Sequence, residues 1–321
     1  MLHKVAVITS GGDSPGMNAA IRAIVKAANY HDIEVYGVEG GYQGLIEDKL
    51  SIIRTPDVET IANKGGTILK TSRSLAFMDE SGRKQAVEVL RNYGIADVIV
   101  IGGEGSLQGA QKLHELGIRV IGIPGTIDND LDYTDYSIGF DTTLNTVLSS
   151  IGRIKDTGLS HNKTTIVEVM GRHCGDLALF TAVAGEGDII STPELKLSFE
   201  QICEKLQDKI SKGRNDNIIV VTERMYDLDE LQQFIEEQMN IEVRTTVLGF
   251  IQRGGEPSAF DRILANKMGV KAVNMLMEGQ SGYAIGIKAN QLIEKDLRTM
   301  LDEKTDKQPN YDLLDMLLHT I

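Results

Sequence analysis

At 321 residues the chain is longer than one hydrophobic core normally organises, which predicts two domains. Its 46 acidic residues outnumber 33 basic ones, giving a net charge of −13, and that balance argues against a general nucleic-acid binder. A content of 41% hydrophobic and 25% charged residues suits a globular chain rather than a disordered one. No apolar run reaches membrane length and no signal-peptide layout opens the chain, so a cytoplasmic protein with no membrane partner is expected. Cys174 and Cys203 stand outside any metal-like spacing and read as idle thiols of a reducing compartment.

The first predicted strand, 5–9, ends at Ser10-Gly11-Gly12-Asp13-Ser14-Pro15-Gly16, and a helix follows with Met17, Ala20, Ile21, Ile24, Val25 and Ala28 at helical spacing. A second strand, 34–38, leads into a glycine-rich turn at 40–44, and a helix-like stretch at 57–64 precedes Gly65-Gly66. A helix over 83–93 stops at Gly94. The strand 97–101 ends in Gly102-Gly103-Glu104-Gly105-Ser106, and a helix over 107–116 leads to the strand 120–123. Beyond it the alternation continues, with helices near 144–151, 175–184, 199–210 and 258–277 and strands at 164–170, 218–222, 243–250 and 284–287. Repeated strand–turn–helix units predict an α/β fold of two Rossmann-like domains, each a mostly parallel sheet flanked by helices.

Pro124 and Gly125 stop the strand 120–123, and Thr126, Asp128 and Asp130 follow at once. An extended segment would project these three to one side, into the crevice where open α/β sheets bind ligands. Glycine turns that open helices, at 11–16 and 102–106, expose backbone N–H groups suited to phosphate. Neither turn fits a familiar fingerprint: the first lacks the Lys-Ser/Thr pair of a P-loop, and Gly109 comes one residue late for a dinucleotide loop. Glu104 within such a cradle would repel phosphate unless a cation intervened, which points to Mg²⁺. Nucleotide, magnesium and a nearby Asp together describe phosphoryl transfer, with Arg172, Arg244 and Arg253 at strand ends available for an acceptor.

Four stretches now carry a resemblance: 10–20, Pro124-Gly-Thr-Ile-Asp-Asn-Asp130, Val169-Met-Gly-Arg172 and Leu248-Gly-Phe-Ile-Gln-Arg-Gly-Gly255. Together, in order and spacing from about 3 to about 300, the chain resembles the bacterial ATP-dependent 6-phosphofructokinase family. The resemblance implies a homotetramer that phosphorylates fructose 6-phosphate at its 1-hydroxyl with MgATP, under control by ADP or phosphoenolpyruvate. It implies an ATP-binding domain over 1–139 plus about 252–304, and a sugar-phosphate domain over 140–251 plus about 305–321. Asp128 would be the general base, supported by Thr126 and Asp130, with Arg172 stabilising the transferring phosphoryl group. ATP would meet Gly12, Arg73, Ser74, Gly103, Glu104, Gly105 and Ser106, with Glu104 as the metal ligand. The sugar phosphate would meet Thr126, Asp128, Lys163, Met170, Gly171, Arg172, Glu223, Arg244, Phe250 and Arg253, with Lys163 and Arg244 supplied by a neighbouring subunit. Effectors would meet Arg22, Lys26, Lys155, Asp188, Lys212 and Arg214.

Several positions depart from that pattern. Glu104 stands for an Asp, Lys163 for an Arg and Phe250 for a His that contacts substrate, which predicts a raised KM for fructose 6-phosphate. At the effector site Lys26 and Lys155 replace Arg, Thr55 (beside Arg54) replaces another, Asp188 replaces Glu and Asp216 replaces His, which predicts feeble regulation. Gly105 and Gly125 match the ATP-using branch, where the pyrophosphate-using branch carries Asp and Lys. The competing readings are a pyrophosphate-dependent or other sugar-phosphate kinase, and a weakly active paralogue serving as a nucleotide-binding regulatory subunit.

Overall fold

The computed structural model describes residues 3–319. In chain order its strands are β1 (Lys4–Ser10), β2 (Glu34–Val38), β3 (Leu50–Ile53), β4 (Asp97–Gly102), β5 (Arg119–Pro124), β6 (Thr164–Val169), β7 (Ile189–Ser191), β8 (Ile218–Thr222), β9 (Val243–Val247), β10 (Tyr283–Lys288) and β11 (Gln291–Asp296). They form a seven-stranded sheet, β11-β10-β5-β4-β1-β2-β3, and a four-stranded sheet, β7-β8-β6-β9. The smaller sheet is parallel throughout; the larger is parallel except at its edges, where β3 and β11 run antiparallel.

The chain divides into two compact units. Unit 1 holds the residues up to Ile127, Leu131–Thr142 and Arg253–Thr305; unit 2 holds Asp128–Asp130, Thr143–Gln252 and the residues from Asp306. The triplet Asp128–Asp130 thus groups with unit 2, although the sequence division at 139 assigns it to the first domain.

Strand period explains how unit 1 is layered. Val5, Val7, Ile99 and Ile101 face one way and pack with Ile21, Ile24, Met268 and Leu276 of the helices Met17–Tyr30 and Ala259–Met277. Ala6, Ile8, Val98 and Val100 face the other way, against Leu90 of Glu80–Asn92 and Leu107 and Leu113 of Glu104–Glu115. With both faces covered the strands are apolar throughout, which is why they read as continuous runs. In unit 2, Ile166, Ile219 and Val221 pack with Ile202 and Leu206 of the helix Phe199–Ser211 and Leu231 and Ile235 of Leu228–Met239.

A buried carboxylate pins one corner of unit 1. Asp261 accepts from the N–H of Gly139 (2.9 Å) and of Thr142 (2.8 Å) and from the Thr142 hydroxyl (2.5 Å). Burial raises its pKa to about 6 against the pull of those donors.

Several local expectations are corrected. The glycine turn at 40–44 is a short helix, Gly41–Ile46, and the helical stretch at 57–64 contracts to Thr55–Val58. The helix expected at 144–151 runs from Phe140 to His161. Residues 248–250 leave the strand begun at Val243, because Gly249 takes a φ of 54° and opens a 3₁₀ turn, Gly249–Arg253. β3, β7, β11 and the helices Leu228–Met239 and Gln308–His319 were not foreseen.

Candidate active site

The registers of unit 1 bring three chain breaks side by side. Ser10 pairs with Gly102 and Gly102 with Pro124, so the loops after β1, β4 and β5 leave the sheet at one edge, its carboxyl end. Gly11 has a φ of 85°, and a Cβ there would lie 3.0 Å from the Ser106 hydroxyl, so only a glycine lets the first loop close on the second. A Cβ on Gly103 would touch Thr126, whereas one on Gly105 would meet nothing within 4 Å. The loop 67–73 is laced onto β1: the Thr9 hydroxyl donates to the Lys70 carbonyl (2.9 Å), and the Thr71 hydroxyl to the Gly11 carbonyl (2.8 Å). Arg73 stands exposed on that loop, and an Arg253 nitrogen lies 3.9 Å from where a Gly12 Cβ would be.

Glu104 is exposed in the first turn of its helix and accepts from the Gln108 amide (3.0 Å). Beside it, the Ser106 carbonyl accepts from the Tyr42 hydroxyl (2.6 Å), and Tyr42 stacks on Phe77 at 4.1 Å. The Ser74 hydroxyl is engaged locally, donating to Gln43 (2.7 Å) and accepting from the Phe77 N–H (3.1 Å). The Thr126 carbonyl accepts from the Ser137 hydroxyl (2.6 Å). A Cβ on Gly125 would press on Ile101 and Met17 at 3.1 and 3.3 Å, so this glycine has a packing reason of its own.

The expected extended run from Thr126 to Asp130 is not what forms. The chain bends at 127–128, and Asn129 adopts a left-handed backbone with a φ of 51°. Within unit 2, buried Asp128 places Oδ2 3.8 Å from the Arg172 Nε. Arg172 sits on a tight turn after β6, where Gly171 has a φ of 137° and the Cys174 N–H donates to the Gly171 carbonyl (2.9 Å). A Cβ on Gly171 would approach the Cys174 carbonyl to 2.3 Å, which explains the glycine. The Met170 N–H donates to the side-chain oxygen of Gln252 (3.0 Å), and the Gln252 amide donates to the Gly249 carbonyl (3.0 Å). Fully buried Gln252 therefore fixes the turn 249–253 against the end of β6. The Glu223 N–H donates to the Val169 carbonyl (2.8 Å), which brings Glu223 to the same strand end. Burial, helped by the Glu223 charge, raises the carboxyl of nearby Glu168 above its ordinary value.

Two expected sugar-phosphate residues lie elsewhere. Arg244 pairs in register with Thr165, at the amino ends of β9 and β6. There Lys163 donates to Glu242 (2.8 Å) and Arg244 meets the same carboxylate. The Lys163 hydrogen bond, with the charge of Arg244, holds that carboxyl below its usual range. At about 3.3 Å per residue the length of β6 separates these cations from Met170 and Arg172. Phe250 is 79% exposed on the 249–253 turn. The expected effector residues are each met by a carboxylate: Arg22 and Lys26 by Glu59, Lys155 by Glu186, Lys212 by Asp208 and Arg214 by Asp188. Asp188 also accepts from the Ile218 N–H (2.9 Å).

Among the described residues, one grouping of metal-type ligand atoms lies within mutual reach, and it is Cys174, Asp176 and Glu194, not Glu104. A single carboxylate beside a phosphate cradle nevertheless suits Mg²⁺, which takes one or two protein carboxylates and completes its shell with phosphate and water. No helix among the described residues is long and apolar enough to cross a membrane. Sequence reasoning missed Asn129, Asp176, Gln252 and Lys307, whose partners lie far away in the chain.

Parallel strands that release glycine loops and acidic or basic side chains at their carboxyl ends define an α/β ligand-binding protein of the doubly wound type. The chain belongs to the phosphofructokinase family, whose description matches residues 4–276. It is 49% identical to the ATP-dependent 6-phosphofructokinase of Alkaliphilus metalliredigens, over 98% of this chain and 99% of that one. Identity to the ATP-dependent 6-phosphofructokinase of Clostridium acetobutylicum is 48%, with the same coverage. Among solved structures, phosphofructokinase from Saccharomyces cerevisiae superposes with a TM-score of 0.87 at 35% identity. That match covers 94% of this chain, which spans 45% of the longer yeast chain.

Proposed function

We propose that the chain transfers the terminal phosphoryl group of ATP to the 1-hydroxyl of fructose 6-phosphate, giving fructose 1,6-bisphosphate and ADP, a step of glycolysis. The observation that carries this reading is Asp128, a buried carboxylate with the Arg172 guanidinium beside it. A carboxylate in its ionised form can accept the hydroxyl proton as the sugar oxygen bonds to phosphorus. The bond from phosphorus to the bridging oxygen of ADP breaks in the same displacement, and Arg172 stabilises the charge on the group in transit. Thr126 and Asp130 assist from the same loop. Gly12, Arg73, Ser74, Gly103, Gly105 and Ser106 are assigned to ATP, and the empty space at Gly105 supports a nucleotide over pyrophosphate. Glu104 would hold Mg²⁺, which when bound shields the phosphate charges.

Met170, Gly171, Glu223, Phe250 and Arg253 are assigned to the sugar phosphate. Lys163 and Arg244, at the far end of their strands, support sites completed by another copy in a homotetramer. The carboxylates already paired with the effector residues support weak regulation by ADP or phosphoenolpyruvate in a cytoplasmic enzyme. A strong response to either at sub-millimolar concentration would contradict that part. The reaction itself is tested by a coupled assay of fructose 6-phosphate with ATP and then with pyrophosphate, with and without magnesium. Turnover is expected with ATP and magnesium; turnover with pyrophosphate instead, or nucleotide binding with no turnover, contradicts the reading.

A further inference from the structure

Behind Asp128, unit 2 buries a chain of polar contacts that ends at the last helix. The Asn129 side-chain amide donates to one oxygen of Asp176 (2.9 Å), and the other oxygen accepts from the Lys307 ammonium (2.8 Å). The same nitrogen lies 2.9 Å from the Cys174 sulfur and 3.4 Å from Glu194. Lys307 therefore reaches all three members of the metal-type grouping, and the chain supplies its own cation there. Burial pushes the Cys174 thiol up, so it stays neutral and Asp176 is the closest anion to Lys307. Asn129 and Asp176 are both buried, and a buried carboxylate without a counter-charge is costly.

Further contacts make the C-terminal segment a clamp. The Tyr311 hydroxyl lies 2.5 Å from that of Thr192 and donates to Glu194 (3.3 Å), whose other oxygen accepts from the Gly175 N–H (3.1 Å). Lys307 and Tyr311 thus hold residues 174–176 and 192–194 together. The left-handed backbone of Asn129 decides where its neighbours Asp128 and Asp130 point.

We infer that Lys307, acting through Asp176 and Asn129, is a positioning residue that holds the turn carrying the proposed general base. This rests on the reading of Asp128 given above. The test is a double-mutant cycle on kcat and on both KM values, with Lys307→Met made in the wild type and in Asp128→Asn. Misplacement of a reacting group by an ångström costs on the order of a hundredfold, so Lys307→Met should lower wild-type kcat by about tenfold to a hundredfold with both KM values nearly unchanged. In Asp128→Asn there is no base left to position, so the same change should leave the residual kcat nearly untouched. A merely structural Lys307 would lower kcat by the same factor in both backgrounds, and that result, or no loss at all, overturns the inference. If Lys307→Met does not accumulate folded, Asp176→Asn, which keeps the side-chain volume, is read by the same criteria. Wild-type turnover with equal losses defeats the positioning role alone; absence of wild-type turnover defeats the functional reading and this inference with it.

Discussion

The two ends of the unit 2 sheet hold groups assigned to one substrate, yet they are built in opposite ways. At the carboxyl end of β6, Met170 is tied by its backbone to fully buried Gln252, and Glu223 is tied by its backbone to Val169. At the amino ends of β6 and β9, Lys163 and Arg244 share one exposed carboxylate, Glu242. Exposed pairs of this kind contribute little to stability and exchange partners readily. The carboxyl end is preorganised within one chain, while the amino end carries cations that an incoming anion can take over.

The largest effect at the carboxyl end is expected from removing its proposed base. Asp128→Asn keeps the shape and loses the proton acceptor, so kcat should fall by about 10²–10⁴-fold with the fold intact; near-wild-type turnover would contradict the mechanism. The glycines give a second contrast. Gly105→Asp should lower kcat/KM for ATP by at least about tenfold, since an anion then faces phosphate, while its thermal midpoint stays near wild type because the space is empty. Gly125→Lys should instead cost stability, about 1–3 kcal/mol for overpacking against Ile101 and Met17, read in a urea titration.

Phe250→His restores a hydrogen-bond donor on the exposed 249–253 turn. A charge-assisted bond there is worth about 1.5–3 kcal/mol, so KM for fructose 6-phosphate should fall by about tenfold or more; unchanged kinetics would show that Phe250 is not in the site. The last expected effect lies in unit 1, away from the proposed base. Asp261 has a folded pKa of about 6, above the unfolded 3.8, so the folded state binds more protons between those values. Stability from this group therefore falls as pH rises from 4 to 6 and is flat above, and Asp261→Asn should remove that slope from urea midpoints. A slope that survives in the variant would assign it to other groups.

What could be read in advance follows from what each contact depends on. β1, β4 and β5 are buried on both faces, so their apolar runs identify them, and glycines at their ends mark where the chain leaves the sheet. β3 exposes Ser51 and Ile52, and β11 ends in three consecutive half-buried charges, Glu294, Lys295 and Asp296, so neither offers such a run. Asp128 and Arg172, which the structure places as an ion pair, drew notice in the sequence because their residue types suit phosphoryl transfer. Their supports did not. Asn129 meets Asp176 across 47 positions, and Asp176 meets Lys307 across 131, distances at which no local periodicity speaks. The bend at 127–128 was missed for the same reason: the buried partner of left-handed Asn129 opens a helix, Asp176–Val183, far along the chain.

The claim that the amino-end cations serve a different copy is tested most directly by subunit complementation. Asp128→Asn and Arg244→Ala chains, each nearly inactive alone, are dissociated, mixed and reassociated, and turnover of fructose 6-phosphate with MgATP is measured. Hybrid oligomers contain sites that join an intact Asp128 from one chain to an intact Arg244 from another, so activity should rise well above the sum of the two parents. Mixed oligomers that form and stay as inactive as the parents would contradict a site shared between chains.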